Sequence, residues 1–244
     1  MPFNLDRSSA QLPFAYEIVR SSRRRSISIE VRAARVSVRA PLGVADYELH
    51  QWVREKRHWI SRKIAEQQQL LQKIPARHYG SGVTLPYLGQ SLTLMIETAS
   101  SARIERRTVE SRECLCVRTS TRSKVAQELQ AQRLVRNWYQ QEALQILTQK
   151  TDQLTRRLGL RHAGVTVKAT RSKWGHCTSR GTIQYNWHIL LAPENIVDYL
   201  VAHEVCHLQH HNHSPAFWQM VASVCSTFRE DRTWLKTYGA HLVL

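Results

Sequence analysis

The sequence predicts an α+β fold, with strands and helices gathered in separate runs along the chain. Three observations carry this. Residues 16–40 and 79–118 hold short stretches in which apolar and polar residues alternate, the period of half-buried strands. Residues 45–73 and 124–158 repeat their apolar positions at helical spacing. Residues 182–191 (TIQYNWHILL) read as a strand that passes through Pro193 straight into an apolar helix. At 244 residues, with 42% hydrophobic and 22% charged residues, the chain has an ordinary globular composition for one or two domains.

Taken in order, Ile27, Ile29 and Val31 alternate with Ser28, Glu30 and Arg32, and Val36 and Val38 with Ser37 and Arg39. Two strands joined through Ala33-Ala34-Arg35 make a β-hairpin, which Pro41 and Gly43 end. An amphipathic helix over 45–73 follows, with Leu49, Trp52, Val53, Trp59, Ile60 and Ile64 near helical spacing. Trp52 and Trp59, seven apart, share a face and read as core. Around Pro75 this helix stops. Residues 79–118 are strand-like: YGSGVTLPYLG turns into SLTLMIE, then a polar link, then ECLCVR. Cys114 and Cys116 alternate there as same-face strand residues. A long helix over 124–158 carries Leu129, Leu134, Trp138, Leu144, Leu147 and Leu154, with Gly159 as its terminator. Residues 164–169 (GVTVKA) form a short strand. Ile183, Tyr185, Trp187 and Ile189 share one face of the strand at 182–191. That strand is either an exposed edge open to an extended peptide or a buried central strand, and the residues leave both open. This divides the chain into an N-terminal hairpin-plus-helix region, 1–77, and a domain over 78–244, with one continuous unit as the alternative.

The formal net charge is +16. Residues 1–77 carry 15 Lys and Arg against 7 Asp and Glu, residues 78–161 carry 13 against 7, and residues 162–244 carry 7 against 5. The basic surface thus belongs to the first two thirds, where it favours contact with a nucleic acid or another acidic partner. No apolar run approaches a membrane span, and the first residues lack a basic-then-apolar leader. Five cysteines without framework spacing suit a reducing cytosol, so a cytoplasmic protein is expected.

The chemistry concentrates in HEVCHLQHHNHSPAFW, residues 203–218. His203 and His207, four apart on a helix, point the same way, and their imidazoles can close on one zinc ion. Glu204 sits where its carboxylate can reach a zinc-bound water. His213 lies six residues further; on a continuous helix it would stand nearly 240° around the axis, at about 100° per residue. It joins the site only if the helix ends first. Asn212 and Pro215 are signals for that, so the reading is a helix to about residue 210 and a turn that returns His213 to the metal. Ile196, Val197, Leu200, Val201, Val205 and Leu208 form an apolar stripe through the motif, which sets the polar residues beside a core. Cys206 should face away from the metal. Phe217 and Trp218 should pack behind the turn. Three protein ligands and an open position are what a zinc hydrolase needs.

The succession RSKWGHC, TIQYNWHILLAP, VDYLVAHEVCHLQHHNHSPAFW resembles the YgjP-like metallopeptidase family, related to the SprT-type zincins. The opening RRRSISIEVRAARVSVRAPLGV resembles the family's N-terminal region. The resemblance implies a zincin-like α+β fold around an active-site HExxH helix. It implies zinc ligands at His203, His207 and His213, with Glu204 as general base. The family's loop usually reads Trp-Gly-Ser-Cys; here it is Trp174-Gly175-His176-Cys177.

The function expected is a zinc-dependent metallopeptidase that hydrolyses a polypeptide through metal-activated water. His176, Arg171, Tyr185 and Tyr238 are the candidates for substrate or oxyanion contact. The alternative is a basic nucleic-acid-associated protein with structural zinc, or a latent peptidase recruited to DNA. A structural zinc would need a fourth protein ligand and would give Glu204 no use.

Overall fold

The computed structural model describes residues 12–32, 34–72, 78–170 and 173–244. Ala33, Pro75 and Arg171, each given a role by the sequence reading, lie outside the described residues. The chain divides into two compact units, residues 1–76 and 77–244, of mixed α and β structure.

In the first unit, β1 (Tyr16–Ser21), β2 (Ser28–Arg32) and β3 (Arg35–Pro41) form a sheet of order β1-β3-β2. β2 and β3 pair antiparallel, and β1 runs parallel to β3. β1 was not expected from the sequence. Alternation in β3 buries Val36, Val38 and Ala40 against Leu49, Val53 and Ile60. The helical stretch expected over 45–73 is two helices, α1 (Asp46–Glu55) and α2 (Arg57–Gln72), broken at Lys56. No glycine or proline marks the break. Its consequence is that Trp52 and Trp59 no longer share a helical register: Trp52 packs on the core, while Trp59 is 39% exposed. The Arg20 guanidinium donates to the carbonyls of Pro41, Leu42 and Val44 and pairs with Asp46, tying β1 to the turn that starts α1.

The second unit opens with a sheet of β4 (Thr84–Tyr87), β5 (Gln90–Ala99), β6 (Arg103–Val109) and β7 (Arg112–Ser120), in the order β4-β5-β7-β6. The polar link of the sequence reading is β6, an arginine-rich strand whose charge hid its pairing with β7. Cys114 and Cys116 share one face of β7, while Leu115, Val117 and Thr119 are buried on the other. All five cysteines are free. The 32-residue α3 (Gln127–Leu158) follows and ends at Gly159, whose φ of 67° is the left-handed conformation that glycine adopts without strain. α3 is the spine of the unit. Ala131, Val135, Tyr139, Ala143, Leu147, Thr151 and Thr155, each four residues from the next, are buried along one stripe. Tyr139 donates to the Pro86 carbonyl at 2.7 Å, and Tyr87 to Glu142 at 2.7 Å, so β4 is pinned to α3.

A second sheet has the order β8-β10-β9, with β8 (Gly164–Lys168), β9 (Gly175–Cys177) and β10 (Thr182–Asn186). The strand expected over 182–191 ends at Asn186, and Trp187–Leu191 is a 3₁₀ helix. The Asn186 side chain starts it by accepting from the His188 N–H at 3.2 Å. Of the two readings left open for this strand the structure gives the second: β10 is central, with β8 and β9 at the edges. α4 (Glu194–Cys206) follows. The tip of the β4–β5 hairpin props its entry: Leu88 N–H donates to the Leu190 carbonyl at 2.8 Å, and a side chain at Gly89 would sit 3.4 Å from Pro193. Lys150 of α3 pairs with both Glu194 and Asp198 at 2.7 Å on the first turns of α4. Two helices not expected from sequence complete the unit, α5 (Pro215–Val224) and α6 (Phe228–Tyr238). Buried Asp231 of α6 accepts from Asn195 at 2.6 Å and from Thr227 at 2.7 Å, which ties α6 to the start of α4. Among the described residues, no helix is long and apolar enough to cross a membrane.

Thr151 and Tyr185, both fully buried, share a hydrogen bond of 2.9 Å between α3 and β10. Thr151→Val strands the Tyr185 hydroxyl away from water, so it should cost about 1–3 kcal/mol in urea unfolding of chelator-treated protein. The double variant Thr151→Val/Tyr185→Phe should recover part of that loss.

Candidate metal centre

α4 is apolar on almost every side: Ile196, Val197, Tyr199, Leu200, Val201, Ala202, Val205 and Cys206 are all buried. Against that background Glu204 stands out as a buried carboxylate, with His203 beside it half-buried. The helix ends earlier than expected, at Cys206, with His207 as its C-cap rather than a residue near 210. Bonds from the Gln209 and His210 N–H groups to the Cys206 carbonyl close the last turn, so that carbonyl meets the turn instead of another helical residue. The chain then reverses. Ser214 caps α5 by accepting from the Phe217 N–H at 3.4 Å, and Pro215 occupies the first helical position. His213 therefore stands just outside the start of α5. Pro215, read from sequence as a helix stop, also starts the next helix.

The reversal brings the three histidines together. Ligand atoms of His203, His207 and His213 lie within 4.8 Å of one another. Nε2 of His203 and Nε2 of His213 are 3.1 Å apart. Two nitrogens each about 2.0–2.1 Å from one tetrahedral zinc would be roughly 3.3 Å apart, so the spacing fits that ion. The Nδ1 of His207 is 2.9 Å from the His210 carbonyl. A carbonyl only accepts, so Nδ1 carries the proton and Nε2 keeps its lone pair free for a metal. Burial, then the neighbouring His207, His213 and Arg232, push the pKa of His203 down to about 3, which keeps it neutral as a ligand must be. Burial and nearby imidazoles lower His207 as well.

Phe217 is fully buried beneath the triad, with its ring 4.5–5.0 Å from all three imidazole rings. Trp218 stacks on His213 at 5.6 Å. Both pack behind the turn, and Cys206 is buried in one cluster with Phe217 and Val221. Glu204 is 4% exposed, and among the described residues its Oε2 has no hydrogen-bond partner. Burial pushes its pKa up to about 8, against the charge of Lys173 and the backbone of Cys177.

The edge strand β9 lies directly on this carboxylate. A Cβ on Gly175 would meet Glu204 Oε1 at 2.3 Å and its Cγ at 2.5 Å, so only glycine fits. The sequence reading quoted Gly175 within the Trp-Gly-His-Cys loop without assigning it this role; a glycine between two bulky residues just ahead of a strand was the available signal. Of the other candidates, His176 is exposed on β9 and near enough for its charge to act on His207. Tyr185 is corrected: it is 0% exposed, and its hydroxyl pairs with Thr151, so it belongs to the layer beneath the site. Its place on the central strand accounts for this. Tyr238 is half exposed on α6, with its ring against Trp234. Arg171 lies outside the described residues.

A convergent histidine triad with a buried carboxylate beside it is a group of side chains that could hold a metal ion. The chain belongs to the YgjP-like family, whose metallopeptidase-domain model matches residues 25–238. Comparison with curated proteins and with solved structures found no match.

Gly175→Ala should lower the unfolding free energy by about 1–3 kcal/mol, since β9 or Glu204 must move to admit a methyl group. Denaturant titration against wild type checks this, and an unchanged midpoint would mean that β9 does not rest on Glu204.

Proposed function

We propose that the protein is a zinc-dependent metallopeptidase acting in a reducing, cytoplasmic setting. The observation that carries this is the pairing of a convergent triad, His203, His207 and His213, with the unpartnered buried oxygen of Glu204. A structural zinc would use a fourth protein ligand, and among the described residues the cluster holds three. Zinc, when bound, supplies Lewis acidity toward a carbonyl oxygen and makes water acidic enough to attack at neutral pH.

The chain's own residues do the rest. Glu204 takes a proton from the attacking water and delivers it to the leaving amine, the general-base and general-acid role of a carboxylate kept out of water. Its raised proton affinity suits a group that must hold that proton between the two events. The His210 carbonyl fixes the orientation of His207, and Phe217 fixes the plane of all three rings. An extended polypeptide can add to the free edge of β9 by main-chain hydrogen bonds, which would run it past Glu204. His176, exposed on that edge, is then the candidate donor to the developing oxyanion.

His203→Ala, His207→Ala and His213→Ala should each lose zinc by elemental analysis, whereas Glu204→Gln should retain it. Cleavage of a peptide library should fall by about 10²–10⁴-fold in Glu204→Gln. Full zinc occupancy in His213→Ala would take that residue out of the site, and unchanged hydrolysis in Glu204→Gln would end the general-base assignment.

A specific observation favours a second role, for the first unit alone. Tyr47 is 69% exposed and Trp59 39% exposed, in a unit whose Arg23, Arg25 and Arg57 also face solvent. Exposed aromatic rings among cations are how proteins hold single strands without reading sequence. We propose contact with nucleic acid here. Binding of labelled single- and double-stranded DNA should weaken steeply as salt rises. Arg23, Arg24 and Arg25 changed to Gln should flatten that slope. Absence of binding at low salt would leave the charge a matter of solubility.

A further inference from the structure

One cluster of cations in the second unit is not used by the chemistry above. A cleft of about 560 Å³ is lined by Trp218, Phe228, Arg229, Arg232, Thr233 and Lys236. Its floor is aromatic: Trp218 and Phe228 stack at 5.6 Å with their planes 21° apart. Its wall is one side of α6, where Arg229, Arg232 and Lys236 recur at helical spacing and all face solvent. The Arg232 guanidinium lies over the Trp218 ring at 4.7 Å, and that of Arg229 over Phe228 at 5.4 Å.

Two features bear on what this cluster can hold. Among the described residues none of its three cations pairs with a carboxylate, so all three can meet one from outside, and two of them, Arg229 and Arg232, stand over an aromatic floor. The adjacent acid that might have served, Asp231, is buried and committed to Asn195 and Thr227. The cleft also adjoins the metal centre through a single ring. Trp218 has His213 stacked on it at 5.6 Å as well as Arg232 at 4.7 Å. At about 3.3 Å per residue, an extended peptide spans that gap within roughly three residues.

We propose that this cleft is a specificity subsite for an acidic side chain, Asp or Glu, lying within three residues of the scissile bond of a polypeptide substrate. The proposal rests on the peptidase reading and narrows it to a substrate class. Arg232, with its guanidinium 4.7 Å from the centre of the Trp218 ring, carries a planar fork of N–H donors that matches a carboxylate better than a lysine ammonium would. The aromatic floor takes the methylene groups of the same side chain. Lys236 and Arg229 add attraction without a fixed geometry.

The test uses zinc-loaded full-length protein and peptides in which Glu, Gln or Lys occupies each of the three positions on either side of the cleaved bond. Glu should raise kcat/KM over Gln by about tenfold or more at one of those positions, the scale of a charge-assisted hydrogen bond. That ratio should collapse toward one in R232Q/K236Q, and R232E should prefer Lys. A Glu preference that survives in both variants, or none in wild type, overturns the subsite. A second arm needs no turnover: Glu204→Gln protein is titrated with fluorescent Glu and Gln peptides at low salt. Tighter binding of the Glu peptide, lost in E204Q/R232E, supports the subsite even where wild type cleaves nothing and the peptidase reading fails. Equal binding of the two peptides overturns it. So does a DNA oligonucleotide that binds through Arg232 and is not displaced by the Glu peptide, which would make the cleft a phosphate contact.

Discussion

A helix with apolar residues on nearly every side has to be enclosed, and the second unit is organised around enclosing α4. α3 lies along it and fastens its first turns through Lys150. The β4–β5 hairpin props its entry, and α6 holds its N-terminal end through Asp231. Enclosure on this scale takes Glu204 out of water and leaves His203 half-covered at its margin. Burial favours the uncharged form of each group: it lowers the proton affinity of the imidazole and raises that of the carboxylate.

The triad depends on a second constraint, a sharp change of direction. His207 ends α4 and His213 precedes α5, so the three ligand nitrogens come from two helix ends and the reversal between them. The residues that force this are local and inexpensive in sequence: Asn212, Ser214 and Pro215. Phe217 then fills the space beneath the rings, and its ring limits how far any imidazole can tilt. The β9 strand closes the other side at van der Waals distance, and Gly175 is the only residue type that allows it.

Much of this was legible before any coordinates. The four-residue spacing of His203 and His207, the need to end the helix before His213, and Pro215 as a helix breaker were all local signals. So were α3, with its long apolar repeat and Gly159, and the pairing of β2 with β3. What escaped was set by tertiary context. Nothing in residues 45–73 marks the break at Lys56, and β6 carries too many arginines to show a strand period. The alternation through Trp187 and Ile189 mimicked a strand where the Asn186 cap starts a 3₁₀ helix instead. Tyr185 looked available because a single strand does not reveal which of its neighbours will cover it. Gly175 was visible as a residue but not as a contact, since Glu204 is 29 positions away in the chain.

Because the histidines straddle α4 and α5, a bound ion would be a cross-link as well as a reagent. It would fasten the carboxyl-terminal helices to the buried one through coordinate bonds that the polypeptide itself does not supply. Removing it would release the segment from Asn212 onward from its tether at His213, leaving α5 and α6 held by Phe217, Val221 and the Asp231 bonds. The metal's supply in the cell would then govern how firmly the last thirty or so residues are folded, and with them the basic cleft on α6. Occupancy and architecture would rise and fall together.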